Sequence, residues 1–280
     1  MKRYPTVKRY PTVLTIAGSD SGGGAGIQAD LKTIAALGAY GASVLTALTA
    51  QNTQGVRGIH PVPPDFVETQ LNAVFEDITV DAVKIGMVDA GAVAEVIAMV
   101  LDRYQPTQVV FDPVMVATSG ARLIRDETVE VLWQTLFPRA TLITPNLDEA
   151  QVLVGWPIDS LEKMKTAALE LVQRGCRGVL LKGGHLLGPR LYDVLALEGE
   201  EVPQVFESVH IESANVHGTG CTLSSAVATY LALGYPLAEA IARAKEYVAG
   251  AIEAGREVTT GHGHGPLNHS FSPQKMQLFS

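Results

Sequence analysis

Short apolar segments alternate with longer segments of helical periodicity along most of this chain, and this alternation constrains the fold more than any other feature. The short segments are rich in β-branched residues and predict buried strands at 13–18, 42–50, 83–87, 108–113, 140–145 and 178–182. Helical periodicity occupies 27–37, 64–75, 90–104, 126–136, 160–174 and 237–255. Alternating strands and helices form βαβ units, whose helices cover both faces of a parallel sheet. The sequence therefore predicts an α/β fold with three layers, α/β/α, around a mostly parallel central sheet.

The 280 residues contain no Pro- or Ser-rich linker, so we expect one domain over residues 13–280. The chain begins with a duplicated hexapeptide, since Lys2–Val7 recurs as Lys8–Val13. One copy is sufficient to lead into the first strand, and six residues are too few for a repeat architecture. Residues 1–12 are therefore predicted to be an N-terminal extension.

Charge and cysteine content exclude several classes of protein. The net charge is −8 and the only basic run lies near the N-terminus, which argues against a basic nucleic-acid-binding face. No apolar run approaches the roughly 18 residues that span a bilayer, and the start lacks the apolar core of a signal peptide. Two cysteines, Cys176 and Cys221, make no disulfide framework, so a reducing cytoplasm is the expected location.

Polar or flexible residues follow the predicted strands at the point where each strand ends. Ligands of open α/β sheets bind beyond the carboxyl ends of the strands. We therefore expect these residues to converge on one cleft: Gly18, Gln51, Met87, Asp112, Thr144 and Lys182.

The loop Gly18–Gly26 joins the first strand to the first helix and suggests dinucleotide binding. Its glycines, however, do not have the G-x-G-x-x-G spacing, and no acidic residue ends a strand about 20 residues later. A nicotinamide or flavin fold is therefore disfavoured.

A second glycine-rich stretch, Asn215–Ala226, runs directly into a segment of strong helix propensity. A helix that begins at glycines leaves backbone N–H groups unpaired, and the helix dipole adds partial positive charge there. One interpretation is a well-capped helix start. The other is an anion hole for a transition state, with Cys221 in its first turn.

Several motifs in order resemble the hydroxymethylpyrimidine/phosphomethylpyrimidine kinases of thiamine biosynthesis, in the ribokinase-like superfamily. The resemblance runs from Val13 to His269 and rests on Thr15–Asp30, Lys84–Met87, Asp112–Met115, Thr144–Ala150, Lys182–His185 and Gly218–Cys221. It implies ATP-dependent phosphorylation of 4-amino-5-hydroxymethyl-2-methylpyrimidine, and then of its monophosphate to the diphosphate. It also implies magnesium and a cytoplasmic homodimer.

The resemblance assigns a group of residues to the pyrimidine. Gln51 matches the pyrimidine-binding position, and its amide complements a ring nitrogen beside an exocyclic amine in two hydrogen bonds. Asp30 matches a substrate-contacting position on the first helix, although a buried loop-capping carboxylate is the alternative. Gly18 lets the first strand end close to the ring. Met87 and Val114 match apolar contacts, and each could equally be plain core.

Other residues suit phosphoryl transfer, which needs positioning and charge neutralisation more than covalent chemistry. Lys182 ends a strand before two glycines and could reach the phosphates of ATP, where the resemblance also places Asn146 and Thr219. Asp112 and Glu149 offer oxygen ligands suited to hydrated Mg²⁺. Since Asn146 and Glu149 are three residues apart at a helix start, a capping interaction between them is the alternative.

Cys221 occupies the position where the wider superfamily has an aspartate base. A thiol near a helix N-terminus can have a lowered pKa. Our hypothesis is that Cys221 helps to remove the proton of the substrate hydroxyl, while the backbone amides of Gly218–Cys221, including those of Gly218 and Gly220, hold the developing charge.

Three alternatives stay open from the sequence. A pyridoxal or pyridoxine kinase of the same superfamily is the nearest. A thiol hydrolase would need Cys221 paired with a histidine such as His217, but no third orienting group is evident. A non-catalytic binding module would bind ligand without releasing ADP. Cys176 is expected to be structural, and a metal site at His262, His264 and His269 is disfavoured.

Overall fold

A computed structural model describes residues 8–115, 126–184 and 190–279 of the chain. The first hexapeptide copy, Lys2–Val7, and His185 lie outside the described residues. In the described ranges, nine strands form one sheet in the order β3-β2-β1-β4-β5-β6-β7-β8-β9. The strands are β1 (Thr12–Asp20), β2 (Tyr40–Asn52), β3 (Gly55–Pro61), β4 (Ala82–Ile85), β5 (Val109–Phe111), β6 (Leu142–Ile143), β7 (Gly178–Lys182), β8 (Arg190–Leu197) and β9 (Gln204–Val209).

The central strands are parallel, and the outer ones are antiparallel. Strands β2, β1, β4, β5, β6 and β7 pair in parallel, whereas β3, β8 and β9 each join antiparallel to a neighbour. The predicted mostly parallel sheet is thereby confirmed. Strand β3 was not predicted, because all seven of its residues are exposed and it carries no apolar run of its own.

Helices cover both faces of the sheet. They are α1 (Gly26–Ala36), α2 (Pro64–Phe75), α3 (Gly91–Tyr104), α4 (Asp126–Thr135), α5 (Leu147–Val154), α6 (Leu161–Gln173), α7 (Thr219–Ala232) and α8 (Leu237–Gly255), with a short 3₁₀ helix at Phe137–Arg139. Helices α1, α7 and α8 pack on one face, and α2 to α6 pack on the other.

The strands explain these three layers, because successive side chains of a strand point to opposite faces. In β5, Val110 belongs to the core beneath α1, α7 and α8, while its neighbours Val109 and Phe111 belong to the core on the other side. All three are buried. A strand buried on both faces must be apolar throughout, which is the pattern that the sequence carries.

The second hexapeptide copy is tied to the domain. The guanidinium of Arg9 donates to both carboxylate oxygens of Asp81 at 2.6 and 2.8 Å, and the backbone of Arg9 pairs with Phe279 near the C-terminus. Thr12 already belongs to β1. The division between extension and domain at residues 12 and 13 stays a prediction.

Among the described residues, no helix combines the length and the apolar character that a membrane span requires.

Candidate active site

A cavity of about 260 Å³ lies at the carboxyl edge of the parallel strands. The expected convergence at this edge holds for Gly18, Gln51, Met87, Asp112 and Lys182, while Thr144 lies just beneath the cavity and donates to Asp112. The lining also includes Asp20, Gly26, Val114, Asn146, Glu149, His217, Gly218, Gly220 and Cys221. The cavity therefore brings together residues from seven separate parts of the sequence.

The start of α7 forms one wall of the cavity. Its N-cap is Gly218, whose φ of 85° lies in the left-handed region that favours glycine. A Cβ on Gly218 would also lie 1.9 Å from the carbonyl oxygen of Gly24, so the two glycine-rich loops interlock here. Gly220 and Cys221 sit in the first turn, where N–H groups precede the first helical acceptors and can bind an anion.

Lys182 and Asp112 form a buried ion pair at the floor of the cavity. Nζ of Lys182 lies 2.7 Å from Oδ1 of Asp112, which also accepts from Thr144 at 2.9 Å. Burial raises the pKa of Asp112, but the charges of Lys182 and Lys84 lower it by more, so the pKa is held below its usual range. The result is an ionised carboxylate and an ammonium that both face the ligand space.

Asn146 and Glu149 form a capping box at the start of α5. The side chain of Asn146 accepts from the backbone N–H of Glu149, and the carboxylate of Glu149 accepts from the backbone N–H of Asn146 at 2.8 Å. Burial, helped by the charge of Asp112, raises the pKa of Glu149 to about 7 even though Lys182 opposes the change. The capping alternative is therefore correct, and both side chains still line the cavity.

The two carboxylates provide the test of whether Mg²⁺ suits this site. Asp112 and Glu149 are each 2% exposed, and Asp112 disfavours the charge on Glu149. A divalent cation would remove that conflict, and hard oxygen ligands are those that Mg²⁺ prefers. The described residues contain no group of three His, Cys, Asp or Glu able to hold a metal. Two carboxylates on one cavity fit a Mg²⁺ that keeps water and takes its other ligands from phosphate oxygens.

The pKa expected for Cys221 was wrong. Burial raises the pKa of its thiol to about 11, and the nearby charge of Lys84 and a hydrogen bond from Gly26 only partly oppose the effect. The helix N-terminus was expected to determine the pKa. Instead, loss of hydration destabilises the thiolate by more than the nearby charge and the hydrogen bond stabilise it. In this state the thiol is protonated at neutral pH.

Four of the five residues assigned to the pyrimidine line the cavity: Gly18, Gln51, Met87 and Val114. Gly18 and Met87 pack closely, because a Cβ on Gly18 would lie 2.8 Å from the terminal methyl of Met87.

Asp30 is the fifth. It does not line the cavity, and its substrate contact stays a prediction. Its side chain is fully buried, and both oxygens lie 2.9 Å from Nζ of Lys84, which is also fully buried. The hydroxyls of Thr15 and Ser225 donate to the same carboxylate at 2.6 and 2.7 Å. Asp30 therefore links α1 to β1, β4 and α7. It is buried, as the alternative for it expected, but it pairs with a lysine and two hydroxyls and caps no loop backbone among the contacts described.

Thr219, assigned to ATP, is not among the cavity-lining residues, and its hydroxyl donates to the carbonyl of Val216 at 2.7 Å. Of the C-terminal histidines, His262 and His264 are exposed, while His269 is buried against the hydroxyl of Thr222 at 3.0 Å. Cys176 is buried, in keeping with a structural role.

Sequence reasoning missed a pair of cavity residues, Asp20 and His217. The carboxylate of Asp20 accepts from the backbone N–H groups of Gly22, Gly24 and Ala25, and it lies 3.1 Å from Nε2 of His217. An aspartate at the head of a Gly-rich loop was the available signal, since such side chains hydrogen-bond the following backbone. The partner 197 residues away could not be found from the sequence.

Comparison with known proteins gives a consistent picture. The family model described as phosphomethylpyrimidine kinase matches residues 20–268. A hydroxymethylpyrimidine/phosphomethylpyrimidine kinase of Rhizobium meliloti is 49% identical over 91% of this chain and 96% of its own length. The thiamine biosynthesis bifunctional protein ThiED of Geobacter sulfurreducens is 55% identical over 95% of this chain, which spans only 54% of that protein.

A solved structure shares the fold. The ADP complex of Bacillus subtilis pyridoxal kinase has a TM-score of 0.86 and 37% identity, with 94% of this chain and 98% of that one covered. This chain is thus similar both to pyrimidine kinases and to a kinase solved with a bound nucleotide.

Proposed function

The chain belongs to the phosphomethylpyrimidine kinase family, and from that membership and the geometry of its cleft we propose how its residues carry out the reaction. It is a hydroxymethylpyrimidine/phosphomethylpyrimidine kinase of thiamine biosynthesis. The observation that carries the residue assignments is a single cavity that joins an amide able to read an aminopyrimidine, a lysine and a helix N-terminus. The second activity of the bifunctional relative is not carried over, because this chain spans only about half of that protein.

The pyrimidine is proposed to bind between Gly18, Met87 and Val114, with its amine and adjacent ring nitrogen on the amide of Gln51. This leaves the hydroxymethyl group directed towards the first turn of α7, where the N–H groups of Gly220 and Cys221 face the cavity. The N-cap Gly218 keeps that turn close to the opposite loop.

ATP is proposed to place its terminal phosphates between α7 and Lys182. Nucleotide binding by the related pyridoxal kinase supports this placement. The ammonium of Lys182 and the helix N–H groups would hold the charge on the transferred phosphoryl oxygens, which is the largest contribution a protein makes to this reaction. Asp112 orients Lys182 through their 2.7 Å ion pair.

Asp112 and Glu149 would hold Mg²⁺ through water, with Asn146 beside them. When bound, the metal neutralises charge on the phosphates of ATP. The protonated thiol of Cys221 cannot take a proton in the state described here, so its contribution before substrates bind is its backbone N–H. In a loose transition state the bond to the attacking hydroxyl is barely formed, so phosphoryl transfer at this site does not require a strong base.

A second substrate class is favoured by one observation, the TM-score of 0.86 to a pyridoxal kinase. We therefore include phosphorylation of pyridoxal as a second candidate activity at the same cavity. Turnover of pyridoxal within tenfold of that of the aminopyrimidine would support it.

The test is to incubate the protein with ATP, Mg²⁺ and the hydroxymethylpyrimidine and to resolve the mono- and diphosphate products over time. Lys182→Met should lower kcat/KM by about 100-fold or more, as loss of one transition-state donor does. The matched control is Lys163→Met, an exposed lysine on α6. If the wild-type protein forms no phosphorylated pyrimidine, the proposal is refuted. A homodimer and a cytoplasmic location stay predictions, and light scattering of the purified protein tests the first.

A further inference from the structure

A chain of polar groups connects the amide of Gln51 to the glycine-rich loop after β1. Nε2 of His217 lies 3.1 Å from Oδ2 of Asp20 and 3.2 Å from the amide nitrogen position of Gln51. At its other end, the amide oxygen position of Gln51 lies 3.2 Å from the hydroxyl of Thr49. The two ends of an amide have nearly the same shape, so hydrogen-bonding logic decides which end carries the oxygen.

The proton at the histidine end is determined by Asp20. Its carboxylate is only 3% exposed and accepts three backbone N–H groups. Burial raises its pKa, but the three backbone N–H groups favour the ionised form whatever the state of His217, and the pKa of Asp20 is lowered overall, so Asp20 is ionised. An ionised carboxylate only accepts hydrogen bonds. The proton between the two residues therefore lies on Nε2 of His217, and Nε2 has no lone pair to offer Gln51. Its single N–H is shared between Oδ2 of Asp20 and the facing atom of Gln51 in a three-centre hydrogen bond, which requires that atom to be the amide oxygen.

The proton at the threonine end leads to the same assignment. The hydroxyl of Thr49 lies 2.8 Å from the carbonyl oxygen of Ser19, and two oxygens this close require a hydrogen between them. A carbonyl has none, so the single hydroxyl proton of Thr49 is directed to Ser19. Towards Gln51, Thr49 offers only a lone pair, which suits an N–H donor.

Both ends thus agree, and we propose that His217, anchored by Asp20, is a positioning residue that fixes the amide of Gln51 with its oxygen towards His217 and its nitrogen towards Thr49. The packing supports a fixed ring: a Cβ on Gly24 would lie 2.6 Å from Cδ2 of His217, so the imidazole is seated on that glycine. The backbone N–H of His217 also donates to Gly265 at 3.1 Å.

The consequence concerns which substrates are accepted, and it rests on the proposed binding of an aminopyrimidine at Gln51. With one lone pair of its oxygen and one N–H still free, the fixed amide accepts from an exocyclic amine and donates to the adjacent ring nitrogen. A 4-oxo pyrimidine presents the reverse pattern, a carbonyl acceptor beside a ring N–H donor. Because the amide cannot turn over without losing both His217 and Thr49, the 4-oxo ring is rejected.

One experiment needs no substrate and tests the proton assignment. The ligand-free protein, labelled with ¹⁵N-histidine, is studied by long-range ¹H–¹⁵N correlation, and the His217 signals are those that disappear in His217→Gln. The proposal expects a proton on Nε2, in the neutral or the doubly protonated ring. A bare Nε2 with the proton on Nδ1 alone would overturn the assignment. This readout holds even if the protein phosphorylates neither pyrimidine, so it is separate from a failure of the proposed function.

A second experiment compares kcat/KM for the 4-amino substrate with that for its 4-oxo analogue. A correctly placed pair of hydrogen bonds contributes about 1–3 kcal/mol of discrimination, or roughly 5- to 150-fold, so a wild-type ratio of about 100 is expected. His217→Leu should bring the ratio below about 10, since the amide can then turn. His217→Gln should keep the ratio near wild type, because its side-chain amide can still donate to Asp20 and Gln51. The exposed His210 gives a matched control in His210→Asn.

The ratio separates positioning from general damage. Loss of structure would lower kcat/KM for both substrates together and leave the ratio at its wild-type value. An unchanged ratio in His217→Leu, whatever its absolute activity, therefore overturns the positioning role.

Discussion

Replacing Lys84 with methionine should destabilise the fold strongly, because it leaves Asp30 as a buried charge without a cation. Both side chains are fully buried, and Nζ of Lys84 donates to both oxygens of Asp30 at 2.9 Å. Among the described residues, the hydroxyls of Thr15 and Ser225 would remain as its hydrogen-bond donors. Breaking a buried ion pair from one side costs about 3–5 kcal/mol of the free energy of unfolding. For a domain of this size, that lowers the melting temperature by roughly 10 °C.

The assay is urea unfolding followed by circular dichroism, with a double-mutant cycle. Adding Asp30→Asn to Lys84→Met removes the stranded charge, so the double variant should recover at least half of the loss. The matched control is Lys163→Met on α6, whose ion pair with Asp159 has a similar length of 2.8 Å but is exposed. That change should leave the unfolding midpoint within error of wild type.

The same cycle discriminates between the two interpretations of Asp30. If Asp30 contacted the pyrimidine, Asp30→Asn would raise KM and leave stability intact. The structure predicts the opposite order, a loss of stability first. An unfolding free energy for Lys84→Met within 1 kcal/mol of wild type would refute the reasoning, because a buried carboxylate would then be stable without its ammonium.

Three further predictions concern Gly218, His269 and Cys221. Gly218→Ala should abolish turnover and destabilise the fold more than Gly155→Ala does. Both glycines have a left-handed φ, which costs an alanine about 1–2 kcal/mol at either position, but only a Cβ at 218 would also clash with Gly24. Urea unfolding of the two variants measures the difference. Burial lowers the pKa of His269 to about 4, so the unfolded chain binds more protons between pH 4 and 6.5. Wild type should lose on the order of 3 kcal/mol as the pH falls through that window, and His269→Gln should not; parallel pH–stability curves would contradict this. Because burial raises its pKa to about 11, Cys221 should react with iodoacetamide at pH 8 far more slowly than the thiol of the unfolded chain, and the rate should keep rising above pH 9. A reaction rate that reaches its plateau below pH 8 would show this expectation to be wrong.

Much of the site could be predicted from the sequence because parallel strands end at one edge. Gly18 at the end of β1 and Lys182 at the end of β7 are 164 residues apart, yet the rule that ligands bind beyond strand ends placed them in one cleft. The start of α7 was predictable for a similar local reason, since its glycines and its helix-forming run are adjacent in the sequence.

The electrostatics of the site could not be predicted in this way. A thiol in the first turn of a helix suggests a lowered pKa, but the depth at which Cys221 lies in the fold reverses the sign. Likewise, Asp30 carries the residue type and motif position of a substrate contact, whereas its carboxylate pairs with Lys84, 54 residues later.

The sequence by itself thus determined the alternation of strands and helices, the covering of both sheet faces and the edge at which ligands bind. These depend on periodicity and on the order of neighbouring residues, which a linear chain carries directly. Only the tertiary structure decided which carboxylates meet the cavity, that the thiol of Cys221 keeps its proton and which histidine faces Gln51. Those outcomes depend on desolvation and on partners far away in the sequence, and both exist only once the layers have packed together.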